Sequence, residues 1–515
     1  MKGPPTLADR AAGLLLHPTS LPGPHGVGDL GAPAHGFVDF LAAAGQRWWQ
    51  MLPIHPPGEG NSPYTAVSAF AGNPLLIAPE PLAEAGLLRR GEIVPLPGRR
   101  GGRVRFAAAA RHREPLLRLA FSRAAGAPSA LRRAQRRFEA EQADWLGDYC
   151  LFMALKGRLG NRPWVRWPAE LRDRRPAALE RAARELAGEV AFRRFMQFWF
   201  DRQWMALRKA CEARGIGLIG DLPLFVSLDS AEVWARRELF QLGPTGRPTQ
   251  VAGVPPDDFS AVGQLWGNPL YRWGVSRRDG HRWWSARISH LLRLFHAVRL
   301  DHFIGLHHYW AVPAGARDAR GGRYRPGPRA GFFHALRARL GELPLIAEDL
   351  GLVTPEVEAL RDRFALPGMR VLQFGLGHAA DTANPHLPHN HVPRAVVYTG
   401  THDNDTTQGW FRTLNGGAAA RARVLRYADC AARDIHWGLI RLALMSVSRT
   451  AVVPVQDLLG LGSAARMNRP GVPGGNWGWR LAENDLTLNL AERLAGLTEA
   501  YGRTASRQSA QKGRA

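Results

Sequence analysis

The feature that most constrains the fold is a series of short apolar runs that stop on polar or acidic residues and lead into a polar loop and a helical stretch. AVRLDHFIG stops on Asp301, PLIAEDLG on Glu348 and Asp349, AVVYTGTHDND on His402, Asp403 and Asp405, and AVVPVQDLLGLG on Gln456 and Asp457. AGLLLHPTS, QRWWQMLPIHPPGEG and GIGLIGDLPLFV repeat the form nearer the N-terminus, the last with Asp221 inside it. Runs of this kind, separated by helical spacing, are the pattern of buried parallel strands. In a parallel (β/α) barrel every strand C-terminus opens on one face, where active sites are built. A single acid there can cap the next helix, and Glu348/Asp349 before Leu350 fits that role as well. Three or four acids on separate runs are harder to explain as caps, and barrel closure is what would bring them together.

Alternation sharpens the reading of FHAVRLDHFIG. Residues two apart share a face of a strand, so Arg299 and Asp301 lie side by side while Val298 and Leu300 point away. An arginine alongside favours the ionised carboxylate that a nucleophile requires. A structural Arg–Asp pair fits this stretch equally well. Glu348, preceded by apolar residues and next to the like charge of Asp349, has the surroundings that raise a pKa. Two carboxylates with such divided roles perform glycoside chemistry, one attacking the anomeric carbon and the other protonating the leaving oxygen, and a separation of roughly 5–5.5 Å retains configuration. Asp403 would then hold sugar hydroxyls or steady the positive charge of the transition state. In NSPYTAVSAFAGNPLL, Tyr64 suits either stacking on a ligand or filling a loop core.

At 515 residues the chain exceeds one ordinary core, so several domains or one large barrel with insertions are expected. The net charge of +24 invites a nucleic-acid reading, but lysine occurs only at Lys2, Lys156, Lys209 and Lys512 and the arginines are spread over helical stretches instead of one tract. No specific nucleic-acid partner is expected. Three separated cysteines, Cys150, Cys211 and Cys430, form no CxxC pair or disulfide framework, which suggests a reducing cytoplasm. Ala11–Leu16 is too short for a signal peptide, and no stretch reaches the length of a membrane span. Residues 80–210, rich in Arg, Ala, Leu and Glu, read as a mostly helical insertion, and 243–273 as a long irregular active-site loop. Residues 1–505 are expected to form a single catalytic unit, with 506–515 a flexible tail. The histidines lack metal-ligand spacing, and no phosphate-binding glycine loop is present.

HPTSLPGPHGVGDLG, SPYTAVSAFAGNPLLI, GDLPLFVSLDSAEVW, VAGVPPDDFS, GQLWGNPLYRW, VRLDHFIG, YTGTHDNDTT and ARMNRPGVPGGNWGWR together resemble the 4-α-glucanotransferases known as amylomaltases or disproportionating enzyme, in the α-amylase clan. The likeness runs from about residue 12 to residue 495. It implies an α/β fold, a (β/α)8 TIM barrel with inserted, mostly helical subdomains, and retaining transfer of α-1,4-glucan segments to the 4-hydroxyl of glucose or another glucan. The implied substrates are maltooligosaccharides and starch- or glycogen-type glucans, with no cofactor, metal or obligate protein partner. Family roles fall on Asp301 as nucleophile, Glu348 as general acid/base and Asp403 as transition-state stabiliser. Substrate-contacting positions fall on Tyr64, Asp221, Asp257, Gln264, Trp266, Arg299, His402 and Asn476. Ile304, Asp258, Leu376 and Gly377 depart from the family pattern and bear on the acceptor side. The competing enzyme reading is an α-glucan hydrolase that uses the same carboxylates with water as acceptor.

Overall fold

A computed structural model describes residues 3–97, 102–256, 260–377, 381–472 and 474–504. Eight parallel strands form the barrel: β1 Ala11–Leu15, β2 Trp48–Gln50, β3 Gly217–Leu222, β4 Ala297–Leu300, β5 Leu345–Ala347, β6 Gly368–Val371, β7 Ala395–Tyr398 and β8 Thr450–Pro454. Their order in the sheet follows the chain, and β1 pairs with both β2 and β8, placing Gly13 between Trp48 and Val452. β5 and β6 complete the ring: the Ala347 N–H donates to the Pro367 carbonyl at 2.8 Å, and the Met369 N–H donates to the Asp349 carboxylate at 2.6 Å. Asp349 also takes the Arg361 guanidinium at 2.5 Å, so it ties two strands and a helix together. A Cβ on Gly368 would come within 2.3 Å of this carboxylate, and only glycine leaves room for it.

Strand parity divides the core in two. Ile219, Ala297, Ile346, Val396 and Tyr398 pack with Leu15 and Trp48 in the barrel interior, whereas Leu218, Val298, Leu300, Leu345 and Val397 join the larger cluster under the helices. Counting two residues onward along the interior parity gives Asp221 after Ile219, Arg299 and Asp301 after Ala297, and Glu348 after Ile346. The alternation that fills the barrel with apolar side chains therefore also aims these four polar groups at its C-terminal mouth.

The segment between β2 and β3 is largely helical, including Phe106–Arg123, Ser129–Glu141, Ala143–Arg158, Pro176–Glu185 and Ala187–Ala213. Its aromatic residues Trp164, Phe192, Phe195, Trp199 and Trp204 are all buried, which makes them packing residues. The described residues of 243–273 carry strands where the sequence reads as an irregular loop. They contain strands Gln250–Val254 and Gln264–Pro269, which join His308–Pro313 and Arg323–Pro326 in an antiparallel sheet. Gly253, Gly267 and a register shift between Val251 and Gly253 interrupt the alternation by which such strands are recognised.

Candidate active site

The centre of the site is Arg299. Its Nη1 lies 2.9 Å from both carboxylate oxygens of Asp221 and 3.0 Å from Asp301 Oδ1. Arg299 and Asp221 are buried, while the Asp301 side chain is 28% exposed, so the arginine is fixed from behind and shared with an acid that still faces the cleft. Burial is the largest influence on Asp221 and pushes its carboxyl above the usual range, against the opposing pull of Arg299. The same burial works against the charged arginine, but its acids Asp221 and Asp301 hold the guanidinium well above its ordinary value. The Tyr64 hydroxyl donates to Asp221 Oδ2 at 2.6 Å and meets His402 Nε2 at 2.8 Å, and the Tyr64 ring stacks on His402 at 5.3 Å.

Glu348 follows β5. Its Oε2 accepts the His302 N–H at 2.6 Å, while its main-chain N–H and carbonyl bind Leu300 and Phe303. His302 turns through the left-handed region, φ 54° and ψ 50°, an arrangement worth roughly 1 kcal/mol or more of strain for a residue with a Cβ. That turn gives Glu348 a backbone donor in place of a cation. Burial raises the Glu348 pKa well above the usual carboxylate range, and the like charges Asp301 and Asp349 add to it, against Arg299 and the His302 N–H. Glu348 therefore holds its proton more firmly than an ordinary carboxyl, beside an acid paired with arginine.

Asp403 follows β7, and its side chain is 44% exposed. Asn468 Nδ2 donates to Asp403 Oδ1 at 2.5 Å, and His402 Nε2 is 3.3 Å from Oδ2. His402 lines a cavity with Leu16, His17, Asp405 and Arg466, and neither Asp301 nor Glu348 lines it. Burial, aided by His402, pushes the His17 imidazole down to about 3 and keeps it neutral.

On the second sheet, Gln264 accepts from Trp266 Nε1 at 3.2 Å, and the partly exposed Trp266 ring meets His302 edge-on at 4.9 Å. Trp266 thus packs on the turn after β4 whose His302 N–H binds Glu348.

The family model for 4-alpha-glucanotransferase matches residues 16–487. The chain belongs to the 4-alpha-glucanotransferase family. It is 52% identical to the 4-alpha-glucanotransferase of Thermus thermophilus over 96% of this chain and 99% of that one, and 46% identical to that of Synechocystis sp. over the same shares. Among solved structures, the amylomaltase of Streptococcus agalactiae in complex with acarbose superposes with a TM-score of 0.92 at 35% identity, covering 96% of this chain and 100% of that one. The amylomaltase of Corynebacterium glutamicum shares the fold, with a TM-score of 0.75 at 19% identity over 96% of this chain and 75% of that one. Membership makes the protein a glycosyltransferase of the α-1,4-glucan-acting class, built on the (β/α)8 barrel.

Within the site, Tyr64, Asp221, Arg299, Asp301, His402 and Asp403 form one connected polar chain. Glu348 joins through the turn at His302. Asn476 stands apart from this chain, its side chain accepting from the Arg469 N–H at 3.0 Å and donating to the Val472 carbonyl at 2.9 Å. Asp257 and Asp258, like the tail 506–515, lie outside the described residues. The sequence reading missed Asn468, Arg466 and Trp477 as parts of the site. Trp477 packs 5.8 Å from Tyr64 and 6.0 Å from His402. Asn468 and Trp477 sit in the stretch ARMNRPGVPGGNWGWR, whose glycines and prolines mark a loop but do not say which side chain faces Asp403.

Proposed function

We propose that the protein transfers α-1,4-glucan segments between maltooligosaccharides by two successive displacements. In the first, an Asp301 carboxylate oxygen bonds to the anomeric carbon of the donor as the bond to the glycosidic oxygen breaks, and Glu348 gives its proton to that oxygen. In the second, the acceptor's 4-hydroxyl attacks the glycosyl–Asp301 ester, Glu348 takes the hydroxyl proton, and Asp301 leaves as carboxylate. Configuration is retained. Asp403 stabilises the oxocarbenium character of both transition states, and Tyr64 offers its ring to the sugar at the reacting position. Starch- and glycogen-type glucans are the longer donors in this reading.

The single observation that carries the assignment is the contrast between the two acids. Asp301 shares a buried guanidinium with Asp221, whereas Glu348 is half-buried, accepts the His302 N–H, and keeps its proton more firmly than an ordinary carboxyl. Trp266, packed on the turn at His302, and its partner Gln264 suit an acceptor sugar on the far side of the cleft. The acarbose held by the Streptococcus agalactiae amylomaltase supports a site of this type.

The test is incubation with maltotriose, following glucose and longer maltooligosaccharides over time for the wild type and Asp301→Asn. Glucose together with a ladder of longer chains, both lost in the variant, is the expected result. Glucose and maltose without longer chains would assign the same carboxylates to hydrolysis.

A further inference from the structure

The geometry points to Asn468 as the residue that positions Asp403, with Arg466 bracing it. This inference rests on the role given to Asp403 above. Asp403 sits on a loop with a half-exposed side chain, and nothing in β7 fixes the plane of its carboxylate. His402 does not suffice. Its Nε2 is engaged with the Tyr64 hydroxyl at 2.8 Å, and the 3.3 Å approach to Asp403 Oδ2 is the longer of the two contacts. The short contact comes from Asn468 Nδ2 to Oδ1 at 2.5 Å.

The same segment grips the main chain. The Asn468 N–H donates to the His402 carbonyl at 3.1 Å, and Arg466 Nη2 donates to the Asp403 carbonyl at 2.6 Å. Arg466 Nε donates to the Asn468 carbonyl at 2.7 Å, which braces the grip internally. Beyond it, the Trp477 N–H reaches the Met467 carbonyl at 2.7 Å, and the Trp477 ring packs on Tyr64 and His402. A loop after β8 thus holds the backbone and one carboxylate oxygen of a residue after β7. The donor chemistry suits the task. An amide orients a carboxylate without neutralising it, whereas a cation at this position would cancel the negative charge that the transition state needs. Asn468 acts on the reaction through Asp403 and is a positioning residue.

The experiment compares Asn468→Leu, Asn468→Asp, Asn468→Gln and Asn468→Ser with the wild type in maltotriose disproportionation, separating kcat from KM. Leucine matches asparagine in size without a donor, aspartate replaces the donor with a like charge, and glutamine and serine keep a donor. Misplacement of a reacting group by about 1 Å costs on the order of 100-fold in rate, so kcat in Asn468→Leu should fall roughly 10- to 100-fold while KM stays within about two-fold. Asn468→Asp should be slower still, and Asn468→Gln and Asn468→Ser should recover part of the loss. Donor dependence in kcat is what a role in packing alone would not produce. Should the leucine variant not fold, the order of the aspartate, glutamine and serine variants carries the test. Unchanged kcat in Asn468→Leu, equal loss in all four variants, or a rise in KM with kcat intact would each overturn the proposal. An inactive Asp403→Asn beside a fully active Asn468→Leu refutes the positioning role alone, whereas a fully active Asp403→Asn removes the premise and the proposal with it.

Discussion

Replacing Glu348 with glutamine isolates the proton that the half-buried carboxyl holds. Glutamine keeps the shape and still accepts the His302 N–H, so the change at the site is the loss of the acid. General acid catalysis contributes about 10²- to 10⁴-fold, or about 2.7–5.4 kcal/mol at 1.36 kcal/mol per tenfold. That contribution applies only where the leaving group needs a proton. With maltotriose the leaving oxygen needs it, and the first displacement should slow by the full factor. With α-maltosyl fluoride, fluoride leaves unaided, and its release in the first turnover should stay within about ten-fold of the wild type. The assay is rapid-mixing fluoride release set against glucose release from maltotriose. Equal losses on both donors would refute the acid role and move the effect to binding or folding.

The pH profile supplies the sign. In the proposed mechanism the first step needs Glu348 protonated; its pKa is raised, so kcat/KM for maltotriose should fall as pH rises through that raised value, and the glutamine variant should lack this alkaline limb. The same shift means the folded state favours the protonated carboxyl. Its contribution to stability is complete below the unfolded value of about 4.3 and is lost as pH rises through the folded value.

Tyr64→Phe keeps the ring on His402 but removes the hydroxyl from Asp221. The loss of a hydrogen bond to a charged group should cost about 1.5–3 kcal/mol in denaturant unfolding, and kcat/KM on maltotriose should fall as Asp221 loses a donor beside Arg299. Asp349→Asn takes the charge from a carboxylate bound to Arg361 and the Met369 N–H. It should cost up to about 3–5 kcal/mol in denaturant unfolding, and by removing a like charge near Glu348 it should move the alkaline limb of kcat/KM to lower pH. Trp266→Ala should raise the apparent KM for the acceptor several-fold, about 0.5–1.5 kcal/mol for one lost ring face, and leave fluoride release from α-maltosyl fluoride unchanged.

The barrel was legible because parallel strands buried on both faces read as apolar runs, and because parity fixes which residues face inward. That argument reaches Asp221, Arg299, Asp301 and Glu348, which lie on or directly after strands. It loses force in the loops. Nothing local in ARMNRPG distinguishes Asn468 from its neighbours, since its partner is 65 residues away and meets it only when β7 and β8 pair. The acid pair in AEDLG was also ambiguous. Glu348 and Asp349 are adjacent, yet one faces the mouth and the other ties β5 to β6, a division set by the pleat.

The arginine content shows the opposite limit. Composition gives a charge of +24 and no hint of where it goes. Arg503 is fully buried and donates to the main-chain carbonyls of Leu444, Ala11, Arg449, Ser446 and Ser448. Arg480 does the same for Leu21 and Gly23, and Arg287 for Pro223. Burial pushes Arg503 down to about 9 and Arg480 down to about 10. A guanidinium has five donors in a planar fork and can satisfy several strand-end and helix-end carbonyls at once, which a lysine ammonium on a flexible stem does less well. Part of the positive charge is therefore structural, spent inside the molecule on carbonyls that the short strands and clipped helices leave open. Arg299 belongs to the same group of buried arginines but meets carboxylates instead of carbonyls, and one of those carboxylates faces the cleft.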